Sequence, residues 1–199
     1  MDTNKNIDIE RQESVFKMAG FDGCIGSLDG THIPMLNCAQ WASNVHKGFK
    51  LNVPARTYNV TVDHLRQIIG STTGHPGTWN DKTLILFDDF ICNVHTGKLY
   101  KDYASKLYEK DINGTVHQVV CKCVWLMVDN GYLLWSCTVP PSGNGTTYEV
   151  IRFSEWLESM RKDVECTFGI MKGRFSLLRY GLRFQSITRC DQTWLTCCA

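Results

Sequence analysis

Two short apolar runs in this chain each stop at an aspartate, and a long helical stretch downstream carries a glutamate beside its apolar stripe. Cys24-Ile25-Gly26-Ser27-Leu28 leads into Asp29-Gly30-Thr31-His32, and Cys123-Val124-Trp125-Leu126-Met127-Val128 leads into Asp129-Asn130-Gly131-Tyr132. Glu165 sits between Arg161 and Phe175, with 35 residues separating it from Asp129. Short apolar runs bounded by turn residues read as buried strands, so both aspartates are expected at strand ends and Glu165 on a helix. Three carboxylates gathered in a low-dielectric place repel one another unless a cation lies among them. Such a cluster implies a divalent metal, and all-oxygen ligation points to Mg²⁺ or Mn²⁺. Asp29, Asp129 and Glu165 are the candidate catalytic and metal-binding residues, in the manner of a two-metal phosphoryl-transfer site.

The rest of the chain supplies a frame for them. Residues 1–19 read as a polar lead-in with a short amphipathic helix near Ile9 to Met18. Cys24 to Met35 reads as a strand, a turn at Gly30 and further extended chain. Leu51 to Val62 alternates, with Tyr58, Val60 and Val62 on one face and Thr57, Asn59 and Thr61 on the other, which is a period-2 strand. Asp63-His64 turns it into a second strand ending at Ser71. Asn80 is a helix N-cap, with Asp81 in the first turn where the helix dipole favours an acid. Leu84, Phe87, Ile91 and Val94 form the apolar stripe of that helix, and Gly97 ends it. Asn113-Gly114 signals a tight hairpin turn, and Cys121 to Val128 reads as one fully buried strand. A long helix over about Ser154 to Lys172 buries Phe153, Trp156, Leu157, Met160, Val164, Phe168 and Met171. Trp125 and Trp156 are assigned to the core. This order of strands and helices predicts a mixed sheet with helices on its faces.

Composition narrows the class. The chain has 199 residues, 43% of them hydrophobic and 21% charged, as an ordinary folded protein does. No run approaches the roughly 18 apolar residues of a membrane span, and Met1 to Asn6 lacks an apolar signal core. Ten cysteines occur without any Cys-x-x-Cys pair, so reduced thiols acting as small hydrophobes are expected rather than a zinc site or a disulfide framework. The net charge of +1 conceals an asymmetry: from Arg152 to Arg189 there are eight Lys or Arg against four acids. That basic bias around the Glu165 helix suits a polyanion. Arg161, Lys172 and Arg174 are candidate contacts to the phosphates of such a polyanion, which supply affinity rather than sequence readout.

Gly23 to Pro34, Gly77-Thr78-Trp79-Asn80-Asp81, Asp129 to Tyr132 and Arg161 to Phe175, in this order and spacing, resemble the catalytic domain of PIF/Harbinger-type transposases. The likeness runs from about Gly20 to the C-terminus. It implies an α/β, RNase H-like mixed sheet flanked by helices over residues 20–199, with an Asp-Asp-Glu triad at Asp29, Asp129 and Glu165. It also implies metal-dependent cleavage of DNA phosphodiesters with strand transfer, double-stranded DNA (transposon ends and target) as partner and a nuclear location, the alternative being cytoplasmic. A separate DNA-binding partner protein and self-association belong to the same expectation, and membrane association does not. An aspartate recurs in the family at the place of Asp81, which makes Asp81 a supporting metal ligand; its other role is the first turn of its helix. His32 either touches a phosphate or is structural. Family members continue beyond the apolar stretch Thr193 to Ala199 and carry a DNA-binding segment upstream, so a fragment is expected here. The alternatives are a domesticated or decayed descendant that binds DNA or protein without cleaving, and an RNase H-like nuclease acting on RNA.

Overall fold

The structure is a computed structural model that describes residues 3–48, 50–145 and 147–199, with side chains from residue 11 onward. Met1 and Asp2 of the polar lead-in lie outside the described residues. In chain order the elements are α1 (Thr3–Met18), β1 (Cys24–Pro34), α2 (Gln40–His46), β2 (Ala55–Val62), β3 (Ile68–Ser71), β4 (His75–Pro76), α3 (Asp81–Leu84), a 3₁₀ turn (Ile85–Phe87) and α4 (Asp89–His95). They continue with β5 (Ser105–Lys110), β6 (Val116–Cys121), β7 (Trp125–Met127), β8 (Thr138–Val139), α5 (Tyr148–Arg174), α6 (Ser176–Tyr180) and α7 (Ile187–Cys198).

One six-stranded sheet runs β3-β2-β1-β7-β8, with the short β4 also paired to β2. β3, β2 and β1 are antiparallel, whereas β7 joins β1, and β8 joins β7, in parallel. This is the mixed sheet of the RNase H-like expectation. Parallel neighbours need a crossover, and the long chain between β1 and β7 supplies it. β5 and β6 form a separate two-stranded hairpin around the predicted Asn113-Gly114 turn.

Helices cover both faces because the strands alternate. Tyr58, Val60 and Val62 of β2, with Ile33 of β1, pack against Val164, Phe168 and Met171 of α5, Leu178 of α6 and Trp194 of α7. On the opposite face Ile25 and Leu28 of β1 and Leu126 of β7 meet Ile85, Ile91 and Val94. A third cluster joins Phe16 of α1 to Phe21, Cys24, Met127 and Leu157, so the lead-in adds an apolar anchor to the core. Each fully buried side chain of this size contributes about 1.5–3 kcal/mol. No described helix is long and apolar enough to cross a membrane, and all ten cysteines are free thiols.

The structure corrects several local expectations. β1 continues through Gly30 without a turn, so Asp29 lies within a strand, paired with Val60 of β2, and not at a strand end. The stretch from Cys121 to Val128 is not one strand: β6 ends at Cys121, and only Trp125–Met127 join the main sheet. The stripe predicted over Leu84 to Val94 is broken by the 3₁₀ turn. Asp88 there becomes a second N-cap, accepting from the Ile91 N–H at 3.2 Å, and Phe87 is left 55% exposed. Trp156 is 51% exposed rather than core, and Phe153 is exposed with it; both rings lie against Phe21 while Leu157 takes the buried place between helix and sheet.

Candidate active site

Strand register brings the two aspartates together. Ser27 of β1 faces Met127 of β7 in parallel pairing. Asp29 lies two residues further along β1, and Asp129 two residues further along the chain, just past the end of β7, near enough for the Asp129 charge to act on Asp29. Each carboxylate is held by its own chain: the Gly30 N–H donates to Asp29 Oδ1 at 2.8 Å, and the Gly131 N–H to Asp129 Oδ1 at 2.7 Å. One oxygen of each acid is thereby fixed before any ligand arrives.

α5 brings Glu165. Thr147 caps this 27-residue helix, Glu149 occupies its first turn, and Lys172 and Arg174 its last, each matched in sign to the helix dipole. Glu165 is 51% exposed at the edge of the site, and Arg161, one turn earlier, bridges it to the sheet. The Arg161 Nη2–Glu165 Oε1 distance is 3.1 Å and the Nη1–Asp29 Oδ2 distance is 3.6 Å. A single guanidinium thus touches two of the three predicted acids. Arg161, a candidate DNA contact in the sequence, has its fork engaged with these two acids.

Asp81 is the fourth acid of the group. Asn80 caps α3 through the Thr83 N–H at 2.9 Å, which puts Asp81 at the first helical position, as expected. The same placement turns its carboxylate toward the other acids. A Cβ added to Gly131 would stand 2.8 Å from Asp81 Oδ2 and 2.9 Å from Asp129 Oδ1. Those two carboxylates face one small space, and only glycine leaves it open.

The electrostatics follow from burial. Loss of solvent pushes Asp29 up to about 6, opposed by the Gly30 N–H and the Arg161 charge and reinforced by Asp129. Asp81 is raised as well, first by burial and then, against the pull of Lys50, by Asp129. Like charges in a poorly solvated place favour protonation or a cation.

Residues 28–199 match the family described as DDE superfamily endonuclease. The chain belongs to the DDE superfamily endonucleases. Neither the curated proteins nor the solved structures gave a match.

The acids of this DDE chain are of the all-oxygen type that a hard divalent cation takes, with a glycine-lined space between two of them and a guanidinium between two others. Among the described residues, no three or more His, Cys, Asp or Glu side chains are grouped closely enough to hold a metal ion. Asp81 faces Asp129 across Gly131, and Asp29 is tied to Glu165 across Arg161.

Of the remaining predicted residues, Lys172 is half-buried on α5, where burial pulls its ammonium below the usual range. Arg174 is exposed, with its guanidinium over the Phe175 ring at 5.9 Å. His32 is lowered to about 4, by burial and then by Lys50 and Lys172, so its imidazole is neutral at physiological pH. Asp63 closes the β2–β3 turn, accepting from the Leu65 and Gln67 N–H groups.

Sequence reasoning gave no role to three residues under the site. Tyr132 is buried, and its hydroxyl donates to Asn59 Oδ1 at 3.1 Å; burial and then the charges of Asp29, Asp81, Asp129 and Asp88 hold it well above the usual phenol range. Asp88 is pushed up to about 6 by burial, against the Ile91 N–H and the Asn59 side chain. The one sequence signal available was Asn59, an amide between two threonines on the Thr57, Asn59, Thr61 face of β2.

Proposed function

We propose that this chain is a PIF/Harbinger-type transposase catalytic domain that cleaves DNA phosphodiesters and transfers strands, using Mg²⁺ or Mn²⁺. The observation that carries the reading is that Asp29 on β1 and Asp129 just past the end of the parallel neighbour β7 lie close enough for their charges to interact, with Glu165 tied to Asp29 through Arg161. Asp29 and Asp129 would hold the cation, with Glu165 completing the set and Asp81 supporting it from across Gly131. When bound, the metal would supply charge stabilisation at the phosphate and a more acidic attacking water or 3′-hydroxyl. The protein's part is positioning. The backbone N–H groups of Gly30 and Gly131 fix the two aspartates, and Tyr132 and Asn59 form a rigid polar floor beneath them. An aspartate raised to about 6 is increasingly protonated as the pH falls through that value, so binding of a cation through Asp29 should weaken in that direction. Lys172 and Arg174, two to three turns beyond Glu165 on α5, carry the charge for the DNA backbone, and their contribution should weaken with salt.

Supercoiled DNA incubated with the protein should be nicked in Mn²⁺ or Mg²⁺ and remain intact in EDTA. Cleavage that persists in EDTA, or none with either metal, contradicts the reading.

A further inference from the structure

We propose that Arg161 is the resident counter-cation of the acidic centre: its guanidinium holds Asp29 and Glu165 together, and a divalent cation must displace it to bind there. The inference rests on the metal-dependent reading above and adds a role for a residue outside the carboxylate set.

A salt bridge from Arg161 to Glu165 alone would be an ordinary pair one helical turn apart. The contact to Asp29 makes it more, because Asp29 belongs to the centre of the sheet and Arg161 to the helix above it. The Arg161 side chain is only 16% exposed, and its Nε is buried without a hydrogen-bond partner. A guanidinium placed so far from water needs its compensation from the two carboxylates. The 3.6 Å separation from Asp29 is too long for a hydrogen bond, so that contact is Coulombic and open to replacement by another cation.

The position of the guanidinium makes the two cations compete. Asp29 Oδ1 accepts from the Gly30 N–H and keeps a further lone pair, while Oδ2 faces Arg161. A metal shared by Asp29 and Glu165 would have to take the place between them that the guanidinium holds. Arg161 must therefore let go when such a metal arrives. Its planar fork, still anchored on α5, is then free for a phosphate of the bound strand, a geometry it matches well. Before that, it keeps the helix acid and the strand acid in register against their mutual repulsion.

Titration of the DNA-free protein with Mn²⁺ by calorimetry tests this. Arg161→Gln should bind Mn²⁺ on the order of tenfold more tightly than wild type, the scale at which partners of metal ligands act. Arg161→Lys keeps one charge but cannot bridge two carboxylates, so it should also bind more tightly, by less. In EDTA, Arg161→Gln should melt below wild type, and saturating Mn²⁺ should close the gap. If both variants bind Mn²⁺ as wild type does, or more weakly, Arg161 is not displaced and the inference fails. Should Arg161→Gln not fold, Arg161→Lys decides alone: affinity equal to or weaker than wild type overturns the idea. A wild-type protein that binds no Mn²⁺ would instead sink the metal-dependent reading itself.

Discussion

Asp129→Asn should reduce metal-dependent DNA cleavage by about a thousandfold, while the metal-free protein melts at the same temperature or slightly higher. Asparagine keeps the shape of the side chain and the oxygen that accepts the Gly131 N–H, so folding is spared. What is lost is the negative charge. Stabilisation of phosphoryl charge by a bound metal is worth several kcal/mol, and about 1.4 kcal/mol corresponds to a decade in rate. The rise in melting temperature follows from Asp29 and Asp81, both of which feel the Asp129 charge as repulsion. Nicking assays and thermal melts in EDTA check the two halves. Undiminished cleavage would remove Asp129 from the chemistry, and a large fall in melting temperature would make it a structural residue.

The largest loss of stability should come from a site far from the acids. Asp191 of α7 accepts from Arg56 at 2.6 Å and from the Tyr58 hydroxyl at 3.1 Å, while Arg56 also donates to the Gly74 carbonyl. The Arg56 side chain is 6% exposed, and Trp194, one turn beyond Asp191, stacks on Tyr58 with centroids 4.4 Å apart. Asp191→Ala strands the Arg56 charge in the interior, and breaking a buried pair from one side costs about 3–5 kcal/mol. Urea denaturation should show a loss of that size. Replacing Arg56 by Met and Asp191 by Leu together should cost much less, because no charge is then left unpaired. A single-variant loss under about 1 kcal/mol would place the pair among ordinary surface bridges.

Much of the frame was legible in the sequence. Alternation in Thr57 to Val62, the Asn113-Gly114 turn and the Leu157, Val164, Phe168, Met171 stripe each have a local cause, and each produced the expected element. The misreadings arose where tertiary context overrode local signals. Asp29-Gly30 reads as a turn, yet β2 pairs along its whole length and keeps it extended. Phe87 falls on an apolar helical period, but Asp88 starts a new helix and redirects it. Phe153 and Trp156 match the stripe of α5, yet only Leu157 of that turn is buried against the strands, and the two rings are left partly exposed beside Phe21. The acids themselves could be picked out one by one. What the sequence could not show is that Arg161 lies between Asp29 and Glu165, because that contact depends on α5 lying over the centre of β1. The approach of Asp81 to Asp129 depends likewise on where the chain between β4 and α3 turns back.

The most direct measurement of the central claim is anomalous diffraction from crystals of the protein soaked in Mn²⁺. The account predicts Mn²⁺ on the carboxylate oxygens of Asp29 and Asp129, with the Arg161 guanidinium moved away from Asp29. Mn²⁺ held only elsewhere on the protein, or absent from these two aspartates at millimolar concentration above pH 6, would contradict it.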